Sequence, residues 1–147
     1  MNKWAIAALV MLCWALAASF MVGYYYYQYN ELSSKTKEVI ITANLGINYG
    51  NKSATLWFNG TKISAGSTLL GLTKLNTSVN YTGSLSGAFV NSINGVSNSN
   101  GKYWLWWTHS NYGWVFGQVA CDKYVVGTNE TLVWYYETYS ASPQPPS

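Results

Sequence analysis

The side chains that could carry acid–base or metal chemistry are few in this chain of 147 residues. His109 is the only histidine, and the five acidic residues include no close pair that could serve as general acid and base. No Cys-x-x-Cys, His-Glu-x-x-His or Gly-x-Ser-x-Gly spacing occurs. One imidazole without partners makes neither a metal site nor a catalytic triad. The sequence therefore predicts a protein that is not an enzyme and has no catalytic residues, metal site or cofactor.

Aromatic residues are the side chains best suited to bind a partner. Six of them crowd one short stretch: Trp104, Trp106, Trp107, Tyr112, Trp114 and Phe116. Strand alternation would place Trp104 and Trp106 on one face and Trp107 on the other. One short helix cannot cover both faces, so we expect some rings, Trp114 above all, to stay accessible near the loop His109–Gly113. Such patches mark sites for ligands, glycans or partners. The alternative is that most of these rings pack the core.

The first residues predict a membrane anchor. The segment from Trp4 to Val22 is uncharged, and as a helix it would rise about 28 Å, close to the ~30 Å hydrocarbon core of a bilayer. Tyr24–Tyr27 and Tyr29 follow it like an interfacial aromatic belt. Lys3 and the amino terminus lie on the short side, which favours a cytoplasmic N-terminus and an extracytoplasmic body. We therefore expect a single-pass anchor over residues 1–23.

A cleaved signal peptide is the alternative for the same residues. Lys3 would form its charged region, Trp4–Trp14 its apolar region and Ala15–Ala17 its cleavage site. The apolar stretch continues past that site through Phe20–Val22, and this favours a retained anchor. Both interpretations export the rest of the chain.

The composition of the body agrees with export. A net charge of +3, spread singly, does not make the clustered basic face of a nucleic-acid-binding protein. Five Asn-x-Ser/Thr sequons are candidate glycosylation sites, although chance would supply several in so Asn-rich and Thr-rich a chain: Asn51, Asn59, Asn76, Asn80 and Asn129. Cys121 has no partner in its own domain, and we expect it to be a small core residue.

Hydrophobic periodicity predicts an α+β domain. Alternation marks a strand over residues 39–48, and Ala54, Leu56 and Phe58 mark a second. Ser67 could cap a short helix from Thr68 to about Leu75. Further strands are predicted at 88–93, 103–108, 115–120 and 131–139. This order indicates one helix laid across a mixed sheet, with the last strand central because it is apolar on both faces. The domain would span 39–139, between a juxtamembrane stalk at 24–38 and an extended or disordered Pro-rich tail at 140–147.

Several landmarks also occur in the order of a known family. Residues 84–95 read S-L-S-G-A-F-V-N-S-I-N-G, and Tyr103-Trp104 form an aromatic pair after a variable loop. Further matches are Gly117, Tyr124, Gly127, Thr131 and Val133, and G-S-T-L-L-G-L from Gly66 matches a short helix. The region from about 39 to 137 thus resembles the C-terminal β-domain of transcobalamin and intrinsic factor, and a related domain of unknown function in prokaryotic surface proteins. The resemblance implies a β-grasp-like arrangement.

The resemblance also suggests a binding surface. In transcobalamin-like proteins the matching strand and loop face cobalamin, which implies ligand contacts at Trp104, Trp106, Trp114 and Val115. Two departures weaken the case for cobalamin itself. The family's carriers hold the other face of the ligand with a large helical domain, for which this chain has no room. Leu105, Trp106 and Trp107 also replace the polar residues that follow the aromatic pair.

Two functions fit these observations. The first is a membrane-anchored, extracytoplasmic and non-catalytic binding or adaptor module, which displays an aromatic loop to a small molecule, glycan or protein partner. The alternative is a structural, self-associating subunit of a cell-surface layer, filament or viral envelope. The charge-poor Tyr/Asn/Thr-rich body, the sequons and the anchor motivate this alternative, and an open sheet would offer edges for self-association.

Overall fold

The computed structural model of the chain describes residues 2–35, 38–50 and 54–140. It contains two compact units, residues 1–38 and 39–147. The sequon at Asn51 and the tail beyond Ser140 lie outside the described residues.

The first unit contains helix α1 (Lys3–Lys35). Its span Lys3–Ser33 is long and apolar enough to cross a membrane, with a mean hydropathy of 2.4 in its most apolar window; a signal sequence near an N-terminus has the same properties. The helix continues beyond the predicted anchor, so residues 24–35 of the predicted stalk are helical.

The second unit contains one short helix and eight strands within its described residues. In chain order they are β1 (Ile40–Asn48), β2 (Leu56–Ser64), α2 (Leu69–Asn76), β3 (Val79–Ser84), β4 (Gly87–Ile93), β5 (Val96–Ser97), β6 (Lys102–Ser110), β7 (Gly113–Phe116) and β8 (Glu130–Thr138). Five strands form one sheet in the order β2-β1-β8-β6-β7, and a three-stranded sheet has the order β3-β4-β5. β1 and β8 pair in parallel, and the other pairs are antiparallel. The predicted α+β fold with a mixed sheet is confirmed.

The main core lies between the five-stranded sheet, α2 and the smaller sheet. Ala43, Leu45 and Ile47 alternate along β1 and point into it, as the period-two pattern predicted. β8 is the central strand, and Leu132, Val133 and Trp134 are all buried, so both of its faces are covered. This confirms the central position that its two apolar faces indicated.

Helix α2 begins one residue later than the sequence suggested. Its N-cap is Thr68, which has an extended backbone and whose hydroxyl group accepts a hydrogen bond from the Gly71 amide at 3.3 Å, so the prediction that Ser67 caps the helix is wrong. The helix buries Leu69, Leu70 and Leu72 in the main core, whereas Leu75 is exposed. Thr73 is fully buried, and its hydroxyl donates to the Leu69 carbonyl and accepts from the Trp134 indole, which ties α2 to β8.

Two differences from the predicted strands affect the binding surface. The residues His109–Gly113 do not form a loop: β6 runs to Ser110, and a tight turn at Asn111 and Tyr112 leads directly into β7. The Ser110 hydroxyl donates to the Gly113 carbonyl and accepts from the Tyr112 amide, which fixes the turn. β7 then ends at Phe116, earlier than predicted.

The three-stranded sheet is a further difference from the prediction. It contains β3 and β5, which the periodicity did not indicate.

Candidate functional site

The helix side of the five-stranded sheet buries three tryptophans. Trp104 and Trp106 are only 4% and 7% exposed, and Trp134 is fully buried. The indole N–H of each donates to a protein acceptor: Trp104 to the Val96 carbonyl at 2.8 Å, Trp106 to the Val119 carbonyl at 3.0 Å, and Trp134 to the Thr73 hydroxyl at 2.8 Å. The rings also pack on tyrosines, such as Tyr124 at 4.5 Å from Trp106. Trp104 and Trp106, expected to contact a ligand, are therefore core residues in this structure.

The opposite side of the sheet, which we call the helix-free face, carries a second aromatic layer. Strand register places five residues in one row across the five strands: Trp57, Gly46, Val133, Trp107 and Phe116. Trp107 and Val133 are buried, yet neither belongs to the main core. The face without a helix is thus covered by side chains of the sheet itself.

Two indoles from opposite edges of the sheet meet over this row. The rings of Trp57 on β2 and Trp114 on β7 lie 6.5 Å apart between centroids, with 20° between their planes. A flat five-stranded sheet would separate its edge strands by about 19 Å, so this stacking joins side chains from strands that are not neighbours in the sheet. We call Trp57 and Trp114 the tryptophan bridge.

Glycine makes room for one half of the tryptophan bridge. A Cβ atom at Gly46 would lie 2.8 Å from Cζ3 of Trp57 and 2.9 Å from Cγ2 of Thr55, closer than ordinary contacts allow. The missing side chain therefore lets the Trp57 ring lie over β1. On the other side, the His109 ring meets Trp114 edge-on at 5.0 Å, and this contact supports the second ring.

Trp107 lies in the same row as Trp57 on the helix-free face. Its ring contacts Phe116 edge-on at 5.3 Å, and the residue is only 3% exposed. Its indole Nε1 is buried and has no hydrogen-bond acceptor among the residues that the structure describes. A buried polar group in this state calls for a specific explanation, such as a water molecule or a ligand atom.

An apolar cleft opens near the other end of β6. Phe89, Tyr103, Leu105 and Tyr139 line it, and its volume is about 290 Å³. Phe89 and Tyr103 meet edge-on at 6.2 Å, and Tyr139 is 62% exposed. Register and alternation put Tyr103 and Leu105 on the same face of β6 as Trp107. The aromatic surface therefore extends along the whole of β6.

The remaining predicted contacts divide between the two faces. Trp114 belongs to the tryptophan bridge and is partly buried there. Val115 is exposed but pairs with Thr108, and alternation turns it away from Trp114. The sequence did not single out Trp57 as a site residue. Strand alternation nevertheless places it on the face of β2 opposite to Leu56 and Phe58.

The titratable side chains of the body have structural roles. The Glu130 carboxylate accepts hydrogen bonds from the Thr108 hydroxyl at 2.6 Å, the Gly127 amide at 2.7 Å and the Tyr124 hydroxyl, and so holds the segment before β8. Burial raises the pKa of Tyr124, and the hydrogen bond to Glu130 and the negative charge of that carboxylate raise it further. Burial, with the charge of Asp122, raises the pKa of Cys121 to about 11. Among the described residues, no three His, Cys, Asp or Glu side chains are grouped to hold a metal ion.

Four of the predicted glycosylation sites fall within the described residues. Asn59, Asn80 and Asn129 are exposed. Asn76 is partly buried at the end of α2, where its Nδ2 donates to the Leu72 carbonyl at 2.9 Å. Asn76 is therefore the least accessible of the four.

Comparisons with known proteins agree with this geometry. Residues 66–138 match the family described as "Domain of unknown function (DUF4430)". No curated protein matches the chain. Among solved structures, the chain is similar to haptocorrin in complex with Cbi, with a TM-score of 0.59 and 18% identity over 71% of this chain and 27% of that one. It is also similar to a protein of Ruminococcus gnavus ATCC 29149 to which metal binding has been ascribed, with a TM-score of 0.54 and 10% identity over 68% of this chain and 99% of that one.

These similarities confirm the family expected from the landmarks between Gly66 and Val133. At such low identities the solved structures establish the fold and not a ligand. The chain spans about a quarter of the haptocorrin chain, 27% of its length. Through residues 66–138 the protein belongs to a family of domains of unknown function with the fold of the transcobalamin C-terminal domain.

Proposed function

We propose that the protein is a non-catalytic binding module, which α1 holds at the outer side of a membrane and which binds a small molecule, glycan or protein on its helix-free face. The observation that carries this proposal is the continuous aromatic surface along β6. It is accessible at one end through the tryptophan bridge and at the other through the cleft around Tyr103.

The electrostatics of the body support binding rather than bond-breaking chemistry. Glu130 is occupied by three donors, and the thiol of Cys121 is buried with a raised pKa, so it is a poor nucleophile at neutral pH. Haptocorrin, which shares the fold, was solved with Cbi bound. This supports a small-molecule partner without identifying it, and cobalamin remains one candidate.

The length of α1 supports the membrane part of the proposal. The uncharged residues 4–22 of α1, and the exposed tyrosines that follow them within the same helix, match a membrane span with an aromatic belt. The exposed sequons Asn59, Asn80 and Asn129 would then carry glycans if the cell glycosylates exported proteins. A shift in mass after enzymatic deglycosylation, lost on Asn→Gln substitution at these positions, would test this.

Native mass spectrometry of the full chain, extracted from its own membrane, tests the binding function. We expect a bound species that is retained in Tyr112→Ala and lost in Tyr103→Ala or Trp114→Ala. Tyr112 is a matched control because it is a fully exposed aromatic residue at the turn between β6 and β7. The proposal would be contradicted if the unmodified chain carried no bound species in several preparations and no variant differed from it in bound mass.

A structural, self-associating subunit is the second candidate. β3 is an edge strand that pairs with β4 alone among the described strands, and all of its residues except Val79 are exposed. Such an edge can pair with a strand of another copy. Cross-linking of intact membranes would favour this candidate if it gave a ladder of high oligomers, and the binding module if it gave a monomer with a bound partner.

A further inference from the structure

We propose that the tryptophan bridge binds a neutral carbohydrate, with the apolar face of a sugar ring on Trp57 and Trp114. This inference rests on the proposed function and names the ligand class for one part of the helix-free face. Three observations carry it: indole N–H groups of that face without a protein acceptor among the described residues, the fixed position of the two bridge rings, and two rows of described residues around them that contain no acidic residue, lysine or arginine.

The indole N–H groups differ between the two faces of one sheet. On the helix side, Trp104, Trp106 and Trp134 all donate to protein acceptors. On the helix-free face, the N–H groups of Trp57, Trp107 and Trp114 have no acceptor among the described residues, and that of Trp107 is buried. Indole is a donor and never an acceptor. These indole donors therefore have no protein acceptor among the described residues, and a ligand rich in hydroxyl oxygens would supply one.

The two rings of the tryptophan bridge are held in place before any ligand arrives. Trp57 fits over Gly46, and Trp114 stacks on Trp57 and meets His109 edge-on. Trp57 is still 40% exposed. Rings that are already ordered lose little conformational entropy on binding, which favours a weakly interacting ligand such as a sugar.

Among the described residues, two rows around the tryptophan bridge contain no acidic residue, lysine or arginine. The row of Trp57 contains glycine, valine and aromatic residues, and the neighbouring row contains Asn44, Thr131, His109 and Trp114. Asn44 and Thr131 are joined by a hydrogen bond at 3.2 Å. A charged ligand would find no partner of opposite charge in these two rows, whereas a neutral ligand needs none.

Carbohydrate fits this combination better than the other neutral ligands. A pyranose ring has an apolar C–H face that can pack on the face of an indole, and a rim of hydroxyl groups that can accept hydrogen bonds from N–H groups beside it. Apolar small molecules and amino-acid side chains prefer concave pockets. On this domain the concave apolar surface is the separate cleft around Phe89 and Tyr103.

Titration of the full chain with neutral oligosaccharides tests the inference. The chain is held in a detergent without a sugar headgroup, and hexamers of β-1,4-glucose, α-1,4-glucose and β-1,4-N-acetylglucosamine are added, with calorimetry and tryptophan fluorescence as readouts. We expect saturable binding of at least one hexamer and none of polygalacturonate. Trp57→Ala and Trp114→Ala should each lower the association constant by about tenfold or more, while the control Tyr112→Ala leaves it unchanged.

Trp57→Phe and Trp114→Phe keep a ring and remove an N–H group, so they test the hydrogen-bond part even if an alanine variant fails to fold. Binding that is equal in these variants and the unmodified chain would overturn the role of the N–H groups. Absence of binding by every hexamer would overturn carbohydrate as the ligand class. If native mass spectrometry still showed a species that depends on Tyr103, the proposed function would stand and the carbohydrate inference alone would fail.

Discussion

Individual indole groups on the two faces of the sheet contribute differently to stability. The Trp134 N–H is paired with Thr73, whereas the Trp107 N–H is buried with no acceptor among the described residues. A buried donor without a partner costs about 1–3 kcal/mol, and a satisfied hydrogen bond contributes about 1 kcal/mol. The same residue type is therefore stabilising on one face and partly destabilising on the other.

Phenylalanine substitutions at these two positions should separate the effects. We expect Trp107→Phe to change the free energy of unfolding by less than about 1 kcal/mol, because removal of the unpaired donor offsets the smaller ring. Trp134→Phe should cost about 2–4 kcal/mol, because it loses ring volume and a paired bond. Urea unfolding followed by circular dichroism measures both, and equal losses in the two variants would contradict the assignment.

The buried thiol of Cys121 should make stability depend on pH. Burial raises its pKa from 9.0 to about 11, so the folded state keeps the proton that the unfolded chain releases. The stabilising effect is complete below pH 9 and is lost as pH rises toward 11. The slope would approach about 1.4 kcal/mol per pH unit for one proton. The melting temperature, measured between about pH 7 and pH 11, should fall more steeply with pH for the unmodified chain than for Cys121→Ala. Equal slopes for the two chains would contradict this prediction.

At the scale of elements, one glycine lets the chain after β7 pass close to a buried tryptophan ring. A Cβ atom at Gly117 would lie 2.0 Å from Cε2 of the buried Trp106 ring, and that ring is itself held by its bond to Val119. We expect Gly117→Ala to destabilise the domain by about 3 kcal/mol or more through overpacking. Gly83→Ala on β3 is the matched control, because a Cβ atom added there would have nothing within 4 Å and the change in stability should stay within about 0.5 kcal/mol. Calorimetric melting compares the two, and similar losses would refute the close contact.

The contact of Gly46 with the tryptophan bridge gives a milder prediction. The atoms nearest to an added Cβ are the ends of the Thr55 and Trp57 side chains, which can shift more easily than backbone. We therefore expect Gly46→Ala to cost about 1–3 kcal/mol and to weaken oligosaccharide binding while the domain stays folded. Unchanged affinity in a folded Gly46→Ala chain would show that the position of Trp57 does not matter for binding.

The sequence predicted the positions of the helix and strands along the chain better than it predicted which strands pair with each other. Period-two patterns located β1, β4, β6 and β8, and the leucines located α2, because burial of one face leaves a local signature. The pairing of β1 with β8 joins distant parts of the chain, and no local pattern encodes it. β3 escaped notice because its residues are mostly exposed and polar, as in Asn80 and Thr82.

The candidate site shows the same division. Trp114 was a candidate because it adjoins the predicted loop His109–Gly113, and that local feature could be read from the chain. The sequence could not show that Trp57 meets it, because the two rings come from strands at opposite edges of the sheet. Trp104 and Trp106 were expected to contact a ligand, whereas the structure buries them in the core. The smaller sheet and the segment after β7 supply the acceptors for their N–H groups, and the periodicity of β6 could not reveal either one.

For the whole molecule, the proposed topology places the body outside the cell. Protease added to intact cells should digest the part of the chain after α1, because the body would be accessible from outside. An intracellular reference protein should survive in the same sample. A body that survives in intact cells and is digested only after permeabilisation would place it in the cytoplasm and overturn the topology.

The electronic transitions of closely spaced indoles couple to each other. The circular dichroism signal that results changes sign and size with the angle between the rings. Trp57 and Trp114 therefore provide an intrinsic optical signal, an exciton couplet in the circular dichroism spectrum, that reports their relative orientation without any added label. Because the two residues come from the outermost strands of one sheet, the same signal would follow separation of those strands during unfolding.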